Sequence, residues 1–452
     1  MTRESLRFIH AANLLLDGPL YVAQELSDEQ RTLVEDATFH AFDRVLTSCI
    51  DSEVDFLLLG GNSFIEQEHS LRARLVLGEG FRRLEKAGIP VFIIPGTADP
   101  DSAWRKFPRL PGNVTICSNP VAEPVAVMRN RQVIAMIGTG TQDPEADPNG
   151  ISGTRASSTA ADRPLSIITA DVAAAAFETA QAQSDSSETT VPESDNDAID
   201  SSESRPDAIE RIVTTRVQEN GADYVAVIGI EGELTIRHDQ CVAHSPGRIQ
   251  GSSRDDPGVH GCSLIEVDQS GSIRIRRIPT ASVGWRAFAL DISEFADEDD
   301  VVRDMVVECS AGGPGSERLM LIRWTFTGAA SALGRFADDA AARELLITKF
   351  QSLRLAEKTV SAAHSFRFLP RFHADLDREP LAAEFLDLLH DELPVSESRL
   401  SELLAGPHGP NEIWRKRLET MAPKLDRGII AATAQQMALH WFVDEESEGS
   451  AQ

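Results

Sequence analysis

The chain is short of basic charge, short of cysteine and without long apolar runs. Its 452 residues carry 43 Lys and Arg against 71 Asp and Glu, a formal net charge of −28. A protein that grips a nucleic-acid backbone unaided places Lys and Arg on phosphates, and this balance works against that role. A local patch such as Arg274, Arg276 and Arg277 remains open. The five cysteines, Cys49, Cys117, Cys241, Cys262 and Cys309, are dispersed and include no C-x-x-C pair. That excludes a disulfide framework and a cysteine-rich zinc site, and it suits a reducing cytoplasm. No stretch of eighteen apolar residues occurs, so no membrane-spanning helix is expected. The start, MTRESLRFIH, has no apolar core of a signal peptide. Also missing are a G-x-S-x-G elbow, a G-x-x-x-x-G-K-[ST] loop and a G-x-G-x-x-G turn. Serine-hydrolase, nucleotide-binding and dinucleotide-binding readings therefore lack their usual anchor.

What is present is an alternation of short apolar runs and helical patterns over residues 1–140. LRFIHAA, VDFLLLG, IPVFIIPG and QVIAMIG read as strands, and Gly60-Gly61 closes the second with a tight loop. Residues 31–50 read as one helix with Leu33, Phe42, Leu46 and Ile50 on a face, and residues 70–87 as another, ended by Gly88. This order predicts an α/β layered domain. Residues 140–163 and 184–206 are polar insertions that bury too little to fold, and LSIITADVAAAAFETAQAQ between them reads as a strand and a helix. After 206 the pattern is strand-rich, with a hairpin at Gln269-Ser270-Gly271. Residues 285–371 read as a small α/β cap domain, and 372–452 as a helical region with a disordered tail.

Four segments carry a family likeness: RFIHAANLLLDGPL, VDFLLLGGNSFIE, IPVFIIPGTADP and DYVAVIGIEGE. They resemble the motif strands of the calcineurin-like metallophosphoesterases, in particular the SbcD-type DNA-repair exonucleases. There the same places read IHTADLHLG, D-x-x-x-x-GD-x-x-D, PGNHD and DYVALGHIH. The HSPGRIQG segment resembles the family's YPG-x-x-QGR stretch. The likeness implies a four-layer α/β/β/α sandwich over residues 1–284, followed by the cap and the C-terminal helices. It also implies two manganese ions held at the strand ends. Such a pair sits about 3.5–4 Å apart and stabilises both the attacking and the leaving oxygen.

The residues at those places depart from the family. Asn13 stands at the first Asp and Leu15 at the first His. Asn62 stands at the bridging Asp, Thr97 at the ligating Asn and Ala98 at the catalytic His; Gly96 and Asp99 are kept. Thr169 stands at the next His, and Gly229 and Glu231 at the two histidines of the last motif. A neutral amide is a poor bridge between two dications, and Leu, Ala and Gly side chains offer no donor. No catalytic residue, metal ligand or cofactor is therefore expected, and the chain reads as a pseudoenzyme.

Two other readings stay open. A divergent phosphoesterase would use relocated ligands such as Asp17, Glu66, Asp99, Glu231 or His244, with Glu68 and His69 nearby. Against this, His10 and His244 read as packed residues, and E-Q-E-H as a solvated loop before a helix. The third reading is an interaction module with no link to DNA. The resemblance implies, as partner, an SMC-like coiled-coil ATPase subunit bound by helices after the cap, a homodimer, and DNA contact only through partners. Leu381, Phe385, Leu389 and Trp441 are the candidate partner-binding residues, with packing on their own domain as the alternative.

Overall fold

The computed structural model describes residues 5–22, 24–117, 124–139, 164–171, 222–256, 258–292, 297–310, 316–328, 330–337, 339–354 and 361–370. These divide into two compact units, one reaching Arg286 and including 316–321 and 361–363, the other holding the remainder.

The first unit is built on two six-stranded sheets. In the first sheet, β1 (Leu6–Ala12) lies between β2 (Phe56–Gly60), parallel to it, and β11 (Gly261–Val267), antiparallel. β3 (Val91–Ile94) and β4 (Val114–Ile116) continue the parallel side, and β12 (Ile273–Pro279) closes the other edge. The second sheet runs β5 (Val125–Arg129), β6 (Gln132–Thr139), β7 (Leu165–Asp171), β8 (Tyr224–Ile228), β10 (Cys241–Ser245) and β9 (Leu234–His238). Strands covered on both faces read as unbroken apolar runs, which is why FLLLG and VFII are wholly buried. The edge strand β12 alternates instead, burying Ile273 and exposing Arg274 and Arg276.

Phe8, Phe56, Leu58 and Phe92 of the first sheet meet Val127, Ile137, Ile167, Tyr224 and Val242 of the second in one core. The other face of the first sheet is covered by α2 (Ala37–Asp51) and α3 (Leu71–Lys86), through Phe42, Val45, Leu46, Leu77, Phe81 and Leu84. Gly80 lets these helices close up: a Cβ there would stand 2.7 Å from Leu46 Cδ1 and Phe42 Cε1. The outer face of the second sheet is also apolar, with Ile168, Ala170, Val225, Val227 and Ala243. The helix expected to follow β7 lies outside the described residues, as do both polar insertions.

The single helix expected over 31–50 is two. α1 (Asp28–Glu35) opens with a capping box between Ser27 and Gln30, and Asp36, at ψ 3°, breaks it from α2. The small three-stranded sheet, β13 (Val283–Asp291), β14 (Leu319–Gly328) and β15 (Ser361–Pro370), starts in the first unit, where Val283, Trp285, Leu319, Leu321 and Ala363 join one core. In the second unit Trp324 stacks on Phe288 and packs against Phe350, beside α5 (Glu298–Ser310), α6 (Ala330–Ala337) and α7 (Ala340–Arg354). The short helix Asp101–Arg105 is α4. Among the described residues no helix is long and apolar enough to cross a membrane. Leu381, Phe385, Leu389 and Trp441 lie outside the described residues.

Candidate functional site

The motif loops leave neighbouring strands at one edge and are laced together by their backbones. Asn13 N donates to Gly61 O (3.1 Å), Leu15 N to Asn62 O (2.9 Å) and Gly61 N to Ile94 O (2.9 Å). The turns are left-handed at Asn13 (φ 47°), Leu15 (φ 41°), Gly61 (φ 75°), Asn62 (φ 54°) and Gly229 (φ 83°). Positive φ costs about 1–2 kcal/mol per residue for a side chain such as leucine, so the loop shape is imposed by its surroundings.

Within this frame Asn13 and Asn62 are joined. Asn62 Nδ2 donates to Asn13 Oδ1 at 2.9 Å, and Asn13 Nδ2 donates to Ile230 O at 2.6 Å. Asn62 Oδ1 accepts from Ala98 N at 2.9 Å and from Thr97 Oγ1 at 3.4 Å. The result is a neutral amide chain crossing from β1 and β2 to the 96–99 loop and the loop after β8. Gly96 is required there, because a Cβ would stand 2.6 Å from both Asn62 N and Asn62 Oδ1.

Asp99 is fully buried and faces backbone. Its carboxylate accepts from Asn62 N (2.7 Å), Gly96 N (2.8 Å), Ser63 N (2.8 Å) and Trp104 Nε1 (3.2 Å). Burial pushes its pKa up to about 6, with the N–H donors pulling against that rise. Asp99 is thus a clamp that holds two motif loops together.

The other candidate ligands are engaged separately. Asp17 accepts from Ser70 Oγ at 2.5 Å, and Glu66 pairs with Arg74. Glu231 lies at the exposed rim and pairs with Arg248 at 2.6 Å. Glu68 and His69 are exposed, on a 3-10 turn before α3, whose N-cap is Ser70. His244 sits in the core between the sheets, with Nδ1 on Thr235 Oγ1 and Nε2 on Ser263 Oγ, both at 2.8 Å. His10 lies beside it, its Nδ1 on Tyr224 Oη at 2.9 Å. Both imidazoles are held below their ordinary pKa by burial first; His10 is lowered further by His244, and His244 falls to about 4. Thr169 is buried on β7 beside Ala226, and the amide chain does not reach it among the described residues. Among the described residues no three His, Cys, Asp or Glu side chains gather into a group that could hold a metal ion.

Sequence reasoning missed Tyr224, Trp104, Ser263 and Arg248 as members of this polar framework. Only their partners across sheets and loops reveal them. The spacing of Trp104 five residues after Asp99 was the one local signal.

No family model matches the chain. It is 35% identical over 133 residues to the uncharacterized metallophosphoesterase YhaO of Bacillus subtilis (strain 168). Over that stretch the chain resembles a metallophosphoesterase. The match takes in 29% of this chain and 32% of that relative, so the chain spans about a third of its length. Among solved structures, an archaeal phosphodiesterase covers 60% of this chain and all of its own, at 8% identity and a TM-score of 0.27. GAP50, described as the anchor in the inner membrane complex of Plasmodium, covers 62% of this chain and 85% of its own, at 11% identity and a TM-score of 0.31.

Proposed function

We propose that this metallophosphoesterase-like protein is a catalytically silent relative of the SbcD-type nucleases. It acts as a scaffold or regulatory subunit, as a homodimer that works with an SMC-like coiled-coil ATPase and meets DNA through that partner. The observation that carries the silent site is the neutral Asn13–Asn62–Ala98 chain at the place of the bridging carboxylate. Two manganese ions do not fit this donor set. They bring four positive charges, and the buried carboxylate beside the amide chain among the described residues, Asp99, already serves three backbone N–H groups and an indole. Seating metal would require breaking the amide chain without supplying charge in return.

The test is calorimetric titration of the metal-stripped full chain with manganese and magnesium. The expected outcome is no saturable binding at millimolar metal. Saturation at about two ions per chain would overturn the proposal and favour a divergent phosphoesterase. A co-purification of the tagged chain with a coiled-coil ATPase checks the scaffold role; recovery of the chain alone would leave the interaction module unrelated to DNA.

A further inference from the structure

A second feature lies on the rim of the motif loops. Where a largely buried arginine meets a carboxylate in this chain, the carboxylate is usually buried with it. Glu66 beside Arg74 is 20% exposed, Asp55 beside Arg129 is 16% exposed and Glu317 beside Arg286 is 6% exposed. Arg248 breaks the pattern. Its side chain is 13% exposed, whereas Glu231, with Oε1 2.6 Å from Nη2, is 75% exposed. Arg277 and Glu233 share some of this asymmetry, but the Arg277 guanidinium also donates to Pro246 O and Val259 O. The Nε of Arg248, by contrast, is buried without a hydrogen-bond partner among the described residues. Asp256 Oδ2 stands 3.8 Å from that nitrogen, too far to accept from it.

The backbone around the pair is fixed. Arg248 N donates to Glu231 O at 3.0 Å, and Asn13 Nδ2 donates to Ile230 O at 2.6 Å. Gly247 (φ 70°) packs so closely that a Cβ there would stand 2.8 Å from Gly232 C and 2.9 Å from Glu231 O. The Glu231 side chain is the part free to move. An ion pair with so exposed a carboxylate contributes little, because water competes for it and holding a long side chain costs entropy. A guanidinium binds best as a fork, with two parallel N–H groups on the two oxygens of one planar group. Glu231 reaches Nη2 and leaves Nε bare.

We propose that Arg248 is a carboxylate-binding site at the rim of the motif loops, and that Glu231 is its displaceable internal occupant. A ligand carboxylate takes Nε and Nη2 together, and Glu231 turns out to solvent. The acids that remain close, Asp256 and the displaced Glu231, set the ligand's charge: a monoanion is accepted and a phosphate dianion is repelled. The carboxylate comes from a small organic acid or from the C-terminus of a peptide.

Acetate, N-acetylglycylglycine and inorganic phosphate are titrated separately into the full chain at constant ionic strength and followed by calorimetry. NMR follows the Arg248 Nε–H resonance, assigned through Arg248→Lys. Saturable carboxylate binding that shifts this resonance is expected. Glu231→Gln, an exposed change, is expected to tighten binding about fivefold, the release of one exposed ion pair. Arg248→Lys keeps the charge but not the fork, and is expected to weaken binding about tenfold. Should that variant not fold, Glu231→Gln still decides. Arg105→Gln, on an exposed pair with Asp101, is expected to change nothing. Tighter binding of N-acetylglycylglycine than of acetate identifies a peptide C-terminus as the source, and equal binding a small acid. Absence of saturation, an unmoved Nε–H resonance, equal affinity in Glu231→Gln and the parent, or tighter binding of phosphate overturns the site.

Discussion

Removing the Asp99 carboxylate tests whether this residue is the clamp its contacts imply. In Asp99→Ala four donors lose their acceptor: the N–H groups of Asn62, Ser63 and Gly96 and the indole of Trp104. Asn62 and Gly96 are only half-buried, so water replaces part of what they lose; Ser63 and Trp104 are buried and are left bare. A buried donor without a partner costs about 1–3 kcal/mol, so the sum for the two is about 2–6 kcal/mol, at the large end for a single change. Asp99→Asn keeps one acceptor oxygen but turns an amide NH2 toward the remaining donors, and is expected to cost about 2 kcal/mol. Urea unfolding followed by circular dichroism at pH 7.5 measures both. Amide hydrogen exchange adds a local readout, with protection lost first at Asn62, Ser63 and Gly96. A loss below about 1 kcal/mol for Asp99→Ala, with those amides still protected, would refute the clamp and return Asp99 to the list of groups free for chemistry.

Stability is expected to fall as pH drops from about 6.5 to about 4. His244, lowered from 6.5 to about 4, and His10, also lowered, stay neutral in the fold while the unfolded chain takes up protons. For His244 the shift is worth about 3 kcal/mol. Asp99 acts in the opposite sense: raised from 3.8 to about 6, it favours the fold at low pH and loses that contribution as pH rises through about 6. Two histidines outweigh one carboxyl, and His244→Gln should flatten the slope; an unchanged slope in urea titrations across this range counts against the assignment. Arg131→Gly is expected to stabilise by about 1 kcal/mol, because Asn130 (φ 51°) and Arg131 (φ 67°) form a two-residue hairpin turn that favours Asn-Gly. A thermal melt with no upward shift would contradict it.

Much of the first unit was legible before any coordinates. FLLLG and VFII are apolar without a break because parallel strands between two layers have no wet face, and such runs need no tertiary information to be recognised. The Asp36 break was not legible. The apolar spacing continues through it, and only the change of backbone direction ends α1. The hairpin at Asn130-Arg131 was missed because its turn lacks glycine, and β4 because three half-buried residues carry no period. That Leu15, Ala98 and Gly229 carry no side-chain donor was readable residue by residue.

The replacement chemistry was not readable. That Asn62 reaches Asn13 across 49 positions, that Asp99 closes on three loop amides, and that His10 and His244 belong to the core between the sheets all depend on contacts between distant segments. By itself the sequence determined the long apolar strands and the side-chain chemistry at each motif position, because hydrophobic period and side-chain chemistry are local properties. The tertiary structure alone decided what the remaining polar groups do. A hydrogen bond is set by the position of its partner, and here the partners lie on other strands and loops.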